Sequence, residues 1–596
     1  MRQGNNYAMR RYAVLLCALI FSVAVCSDAE PSRKTESQST DRTKWFVDAG
    51  FGMFIHWGPY SEAAGKWNGK YFYGTGESPR FQVDMSLEEY DEFSRTFNPV
   101  KFNADEWVAV AKAAGMRYIT FTSKHSDGFA MFHSKASKHN IFDATPFKRD
   151  PLKELAEACR KADIKLCLYY SQYFDRWGPK GNRWRHLKES NLTPKEMDAL
   201  FLEYYETKCK PQLKEIITGY GPIGVIWFDG RGLTKEQALE VVDLIHTHQS
   251  DCLVNARIGH DLGEIIGFGD SGSPKEVKEG PAEAISTHND TWGYIERDNN
   301  WKSSKDIIRR IVKNNAKGAN FMLNVGPKGD GTFPELAVVV LKNVGKWISK
   351  HEESIYCTRH SPFPELSWGD CTHRPGKLYL HVLEWTDDRM LRVPSIADNV
   401  KAVHLLVGGK KLKYTKDGKD ILVHLPGRCP DPVNTVIVLN YKGELNIDPV
   451  RTLMDNCETE FDAFHAELSG NAEHLRYSYS EEFGSWHRVD AIWKWSSEKD
   501  FATWKFRAPK AGLYFVELDY SYPTSSPKRE GLIMIDDSEK LYFECKSTGD
   551  KRQYSQKQPV GVIRVNEPGY HEISIRPTGK GEEFIQLRSL KVRPFE

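Results

Sequence analysis

Net charge is nearly absent from this sequence. Lys and Arg number 82 against 81 Asp and Glu over 596 residues, a formal charge of +1. No bulk field therefore draws the chain to nucleic acid or to an anionic membrane, and its partners must be sought at a local site. Paired cysteine spacings are missing too, which excludes a zinc finger or a disulfide scaffold. Of the eleven cysteines, Cys17 and Cys26 lie near the N-terminus and the other nine are scattered. An odd number leaves at least one thiol free, and Cys159 and Cys167 sit in apolar patterns as small core residues. The chain shows no phosphate-binding glycine loop and no His, Cys and carboxylate cluster at metal-ligand spacing, so neither a metal nor another cofactor is expected. Beyond residue 26, no apolar run reaches the roughly 18 residues that a membrane span needs.

The N-terminus reads as an address. Arg10 and Arg11 precede the apolar run from Tyr12 to Cys26, and Ser27-Asp28-Ala29 suits cleavage before Glu30. Residues 1–29 are predicted to be a secretory signal peptide, which makes the mature protein secreted or periplasmic. Cys26 is the alternative, as a lipoprotein cysteine, although the preceding Val25 is bulkier than that processing prefers.

What remains is large, with 40% hydrophobic and 12% aromatic residues, enough to bury cores for two to four domains. The run Gly-Val-Ile-Trp-Phe-Asp-Gly at 224–230 carries no charge until Asp229. An apolar strand ending in an acid aims that carboxylate at a site. Phe51 to His56, Tyr118 to His125, Lys165 to Tyr170, Cys252 to Arg257 and Asn320 to Asn324 end in polar residues in the same way, with helical or loop segments between them. Alternating strand and helix predicts a parallel sheet, and six to eight such units over about 300 residues predict a closed α/β barrel of the TIM type, with its site at the carboxyl ends of the strands. Capping signals support the helices: Asp150-Pro151 before Leu152 to Ala162, Thr193-Pro194-Lys195-Glu196, and Thr234 with Gln237, while Trp107 to Ala114 stops at Gly115. The barrel is placed at 30–355.

After about residue 355 short alternating strands take over. Lys377 to Glu384, Val400 to Leu406, Asp420 to Leu425 and Thr435 to Leu439 predict an antiparallel β-sandwich over 356–445. A second all-β unit over 446–596 follows, with strands at Phe501 to Phe506, Gly512 to Tyr520, Gly531 to Ile535, Val560 to Val565 and Tyr570 to Ile575. Its outline resembles carbohydrate-binding modules, and a packing domain would read the same way.

The strand ends and connections collect His56, His125, Tyr169, Tyr170, Trp227, Asp229 and Arg257, with Glu77, Glu276 and Trp292. Carboxylates among aromatics and neutral hydrogen-bonding groups suit sugar chemistry, because a glycosidase needs one ionised and one protonated carboxyl group.

Five segments then carry a resemblance: Phe-Gly-Met-Phe-Ile-His-Trp-Gly (51–58), Ser-Lys-His-Ser-Asp-Gly-Phe (123–129), Trp-Phe-Asp-Gly (227–230), Asn-Asp-Thr-Trp-Gly-Tyr (289–294) and Leu-Asn-Val-Gly-Pro-Lys-Gly-Asp-Gly (323–331). In order and spacing, from about residue 43 to 440, the chain resembles the α-L-fucosidases of glycoside hydrolase family 29. The resemblance implies an exo-acting, retaining hydrolase of fucosylated glycans with Asp229 as nucleophile. The acid/base varies in position within that family; Glu276 is favoured, Glu279 is a weaker rival, and Glu283 is either an alternative or, near the amino end of its strand, structural. His56, Glu77 and His125 match sugar-binding residues, Tyr169 a tyrosine near the nucleophile, Arg257 an arginine near the acid/base, and Trp227 and Trp292 the apolar wall beside the sugar's methyl group. Two departures stand out: Ser126 follows His125 where the family often has a second histidine, and Ser78 follows Glu77 where a tryptophan is common. They leave open a related sugar such as L-galactose, or a fucose-binding protein without activity.

Overall fold

The computed structural model describes residues 36–176, 192–230, 232–480 and 486–595; the predicted signal peptide lies outside them. The chain divides into two compact units, residues 1–42 and 43–596. Residues 36–42 of the first are helical, and the second holds all the described sheets.

Eight parallel strands form a ring. They are β1 (Phe51–Ile55), β2 (Tyr118–Lys124), β3 (Lys165–Tyr170), β4 (Val225–Phe228), β5 (Leu253–Val254), β6 (Ile266–Gly267), β7 (Ala282–Thr287) and β8 (Asn320–Val325), paired in the order β5-β4-β3-β2-β1-β8-β7-β6. A parallel bridge from Asn255 to Ile265 joins the two ends, with the Ala256 amide donating to the Ile265 carbonyl at 2.9 Å. The barrel is closed, as the alternation of strand and helix predicts. β1, β2, β4, β7 and β8 are buried along their whole length, which explains their nearly continuous apolar sequences. Inside the ring a Cβ at Gly52 would lie 2.3 Å from the Tyr118 ring, so the glycine makes room for a buried tyrosine whose hydroxyl reaches across the barrel.

The outer layer follows its capping signals. α1 (Ala104–Ala113) starts at Asn103, α2 (Pro151–Ala162) at Asp150, and α3 (Pro194–Tyr204), α4 (Lys235–His248) and α5 (Ser304–Ala316) each open with a reciprocal capping box, the last from Ser303 and Asp306. α6 (Glu335–His351) closes the layer. No helix follows β5 or β6; a short 3₁₀ turn at Ala256–Ile258 and an irregular loop over 268–281 take their place. β6 was not foreseen because two exposed residues carry no periodic signal.

Beyond the barrel, four- and three-stranded antiparallel sheets pack around Trp368, Leu380, Leu391, Ile421 and Ile437. Two six-stranded sheets from residues 451–594 enclose a second core that includes Trp495, Val516, Ile533, Ile575 and Leu590. Each strand foreseen in these regions is present, often longer by one to four residues at an end. Glu473–Ser480, Trp486–Trp493, Glu539–Glu544 and Gln586–Pro594 are additional strands; Glu539–Glu544 has no buried residue to reveal it. The two all-β layers are tied by a buried carboxylate. Asp420 accepts from Arg392 at 3.0 Å and from Arg507 at 2.8 Å, and Asp455 takes the other edge of Arg392.

Candidate active site

β4 delivers Asp229 to the carboxyl end of the barrel, and side-chain amides extend the ladder there. Asn255 accepts from the Phe228 amide and donates to its carbonyl at 2.8 and 3.0 Å. Gln172 accepts from the Asp229 amide and donates to the Gly230 carbonyl at 3.0 and 2.6 Å. Asp229 caps no helix, since Thr234 caps α4. Its carboxylate is not spent on a helix amide.

Both oxygens of that carboxylate have partners. Oδ2 accepts from the Tyr169 hydroxyl at 2.8 Å, and Oδ1 from Arg257 Nη1 at 2.5 Å. Burial alone would raise its pKa, but the Arg257 charge and the Tyr169 bond outweigh it and hold the carboxyl below its usual value. Asp229 is ionised at neutral pH. Arg257 in turn lies 4.6 Å over the Trp227 ring and donates through Nη2 to Asp270 at 2.5 Å. One guanidinium thus joins two carboxylates, and Asp270 is a site residue that the strand-end pattern could not reveal, because it lies in the irregular loop after β6.

An aromatic and imidazole wall surrounds this pair. The His125 and Tyr169 rings stack at 5.2 Å, Tyr169 and Trp227 at 5.7 Å, and His56 lies 5.2 Å from Trp292 and 5.4 Å from His125. Burial lowers His56 to about 4 and His125 well below its usual value, so both imidazoles are neutral. Asn324 settles the His56 tautomer. Its Nδ2 donates to the Trp292 carbonyl at 2.8 Å, so its Oδ1, 2.7 Å from His56 Nδ1, accepts. The proton of His56 sits on Nδ1, which leaves Nε2 as an acceptor for a hydroxyl.

Glu77 is buried and accepts from the Gly293 amide at 3.0 Å, beside Trp292; desolvation lifts it to about 7. The two positions that depart from the family pattern meet at Arg176: its Nη1 donates to Ser78 Oγ at 3.3 Å and its amide to the Ser126 carbonyl at 2.9 Å. The Arg176 charge acts on both Glu77 and His125. Arg176 was missed because it follows β3 by several residues with no motif around it.

The three candidate glutamates lie apart. Glu283, second in β7 and aligned with Asn320 at the start of β8, accepts from the Tyr118 hydroxyl at 2.5 Å and from Trp227 Nε1 at 2.9 Å. It lines, with Trp227, Asp229 and Arg257, a cavity of about 290 Å³. Burial raises it to about 7. Glu276 is 60% exposed, 3.6 Å from Lys278, and lines not that cavity but a neighbouring cleft, which shares Gly267, Phe268 and Gly269 with it. Glu279 is 85% exposed against His360 at 2.8 Å. The structure does not bring Glu276 or Glu279 to Asp229; the carboxylates it does bring are Glu283, on the same cavity, and Asp270, on the other edge of Arg257.

As for metals, among the described residues Glu365, Asp462 and His465 bring ligand atoms within 4.8 Å of one another. Lys317 and Arg451 already hold Glu365 at 3.3 and 3.0 Å, which disfavours a cation there. No helix of the described residues is long and apolar enough to cross a membrane.

A closed βα barrel that presents an ionised carboxylate, a second carboxylate and an aromatic wall at its carboxyl face is built as a glycoside hydrolase. The α-L-fucosidase family model matches residues 20–353; the chain belongs to this family. Rattus norvegicus tissue α-L-fucosidase is 28% identical over 420 residues, covering 65% of this chain and 86% of that protein. The α-L-fucosidase of Vibrio sp. strain EJY3 matches with a TM-score of 0.75 and 28% identity over 93% of this chain and 98% of its own. A Bacteroides thetaiotaomicron family 29 α-L-fucosidase, trapped as a covalent intermediate with 2-fluoro-fucosyl fluoride, matches with a TM-score of 0.63 and 26% identity over 68% of this chain and 96% of its own.

Proposed function

We propose that this protein is an exo-acting, retaining α-L-fucosidase that removes terminal α-L-fucosyl groups from oligosaccharides, polysaccharides or glycoconjugates by double displacement. The observation that carries the reading is Asp229, held ionised by Arg257 and Tyr169 at the end of β4. In the first step its carboxylate attacks the anomeric carbon, the bond to the leaving oxygen breaks, and a carboxylic acid gives that oxygen a proton. In the second, water attacks the same carbon, returns a proton to that carboxylate and frees Asp229. His56 and His125 take sugar hydroxyls, Trp227 and Trp292 face the apolar side of the ring, and Glu77 with Arg176 closes the pocket. Glu283 positions Trp227 from within the barrel.

Asp270 is the acid/base on this reading. Two oxygens bonded to one planar guanidinium lie within about 7 Å of each other, which accommodates the spacing of about 5 to 5.5 Å of retaining carboxyl pairs. Azide tests the assignment by stereochemistry. On Asp229→Ala, azide attacks the substrate directly and gives the inverted β-fucosyl azide; on Asp270→Ala it replaces water in the second step and gives the α anomer. If Glu276→Ala rather than Asp270→Ala yields the α-azide, the acid/base is Glu276. Absence of fucose release from every fucoside would overturn the activity itself.

Residues 30–355, 356–445 and 446–596 serve as catalytic, bridging and accessory modules, and residues 1–29 as an export signal. N-terminal sequencing of exported protein should begin at Glu30; an intact Met1 in cytoplasmic protein would refute export.

A further inference from the structure

The irregular loop after β6 has two faces. Gly267, Phe268 and Gly269 line the Asp229 cavity on one side and, on the other, a cleft of about 1120 Å³ whose far wall belongs to the C-terminal sheets. Strand Trp486–Trp493 grips this loop. Arg488 Nε donates to the Asp270 carbonyl at 3.2 Å, and Lys275 pairs with Asp490 at 3.1 Å. Gly269, at φ +75°, has Arg488 Nη2 2.0 Å from where a Cβ would be, so only glycine admits the contact. Gly267, Phe268 and Gly269 are thus a shared wall between the Asp229 cavity and a space that the barrel and the C-terminal module build together.

That space is unevenly charged. Eight Lys and Arg line it against five Asp and Glu, in a chain whose net charge is only +1. Asp490 neutralises Lys275 and Arg476. Arg310 and Lys313, on α5, make no ion pair within 4.0 Å among the described residues, and Lys302 donates only to the Asn289 carbonyl, at 2.6 Å. Acids face these groups from farther off: Asp306 toward Arg310, Asp370 toward Lys313, and Asp290, Asp298 and Asp306 toward Lys302. Burial and the like charge of Arg310 pull Lys302 down to about 8. Exposed cations that line a cleft with no carboxylate in ion-pair contact are a site for an anion.

We propose that this cleft is the leaving-group subsite, completed by the C-terminal module, and that it takes a glycan bearing a sulfate ester or a carboxylate. The proposal rests on the fucosidase reading and names its substrate class. Arg310 and Lys313 hold the anionic group, and Arg488 positions the loop that separates it from Asp229.

The test compares kcat/KM of the full chain on a fucosyl oligosaccharide whose acceptor sugar carries a sulfate ester, on one carrying a uronic carboxylate, and on the uncharged counterpart. One or both anionic substrates should be preferred by about tenfold or more, the gain of a charge-assisted hydrogen bond, and the two arms tell sulfate from carboxylate. Arg310→Gln with Lys313→Gln should bring that ratio toward one, and each single change should lower it. Sodium sulfate titrated by calorimetry into the unmodified protein, against sodium chloride of equal ionic strength, gives a readout that needs no variant; saturable sulfate binding is expected. Equal turnover of charged and neutral substrates, without sulfate binding, overturns the proposal and leaves the fucosidase reading standing. Loss of turnover on every fucoside, with sulfate still bound, overturns the fucosidase reading instead.

Discussion

Replacing Arg257 with Gln tests how Asp229 is kept ready to attack. The guanidinium and the carboxylate are each about three-quarters buried, at 25% and 26% exposure, with 2.5 Å between nitrogen and oxygen. With their charge centres about 4 Å apart and an effective dielectric constant of about 20, the attraction is about 4 kcal/mol, or close to three pKa units. Water entering the space of the lost side chain screens part of the burial that remains, so the Asp229 pKa should rise by about one to three units from a starting point below 3.8. The assay is the pH dependence of kcat/KM on 2,4-dinitrophenyl fucoside. That leaving group departs without a proton, so the acid limb reports Asp229 and not its partner. In Arg257→Gln the acid limb should move to higher pH by the same one to three units, with rate recovered above it. An acid limb that stays in place while the rate falls equally at all pH values would refute the argument, and would make Arg257 a binding group only.

Three further predictions concern charge elsewhere in the fold. Glu283, raised to about 7 from 4.5, binds its proton more tightly in the folded chain than in the unfolded one. Its contribution to stability is full below pH 4.5 and is lost as pH rises through 7, about 3 kcal/mol in all. Glu283→Gln can still accept from Trp227 and donate to Tyr118, so its thermal stability relative to wild type should improve between pH 5 and pH 8; an unchanged difference in Tm would contradict a protonated Glu283. Asp420→Ala leaves Arg392 and Arg507 buried without their shared carboxylate and should destabilise the chain by about 3 to 5 kcal/mol, read as a lowered urea midpoint. Ser78→Ala removes only an acceptor at 3.3 Å from Arg176 and should change kcat/KM on aryl fucosides by less than about fivefold, whereas Arg176→Ala, which removes a cation that acts on Glu77, should cost about a hundredfold; equal effects would remove Arg176 from the pocket.

The barrel was legible because its causes are local. Strands buried on both faces must be apolar along their length, a helix must satisfy its first amides, and Asp150, Thr193 and Thr234 do so at the positions their spacing implies. A polar residue at or just past the end of such a strand lies at the carboxyl face, which is why Asp229, His56, His125, Tyr169 and Arg257 could be placed there from sequence. Strands with weak patterning escaped: β6 is two exposed residues, and Glu539–Glu544 buries none.

Sequence by itself therefore determined the family, the barrel, the all-β tail and the carboxylate that ends β4. Tertiary structure decided which carboxylate shares Arg257 with it. Asp270 and Glu276 lie on one loop with no periodicity to orient either, and only the folded chain, with Arg488 gripping that loop from more than two hundred residues away, sets Asp270 against the guanidinium and turns Glu276 to the cleft. A loop's direction is fixed by what packs on it, and those partners are distant in sequence.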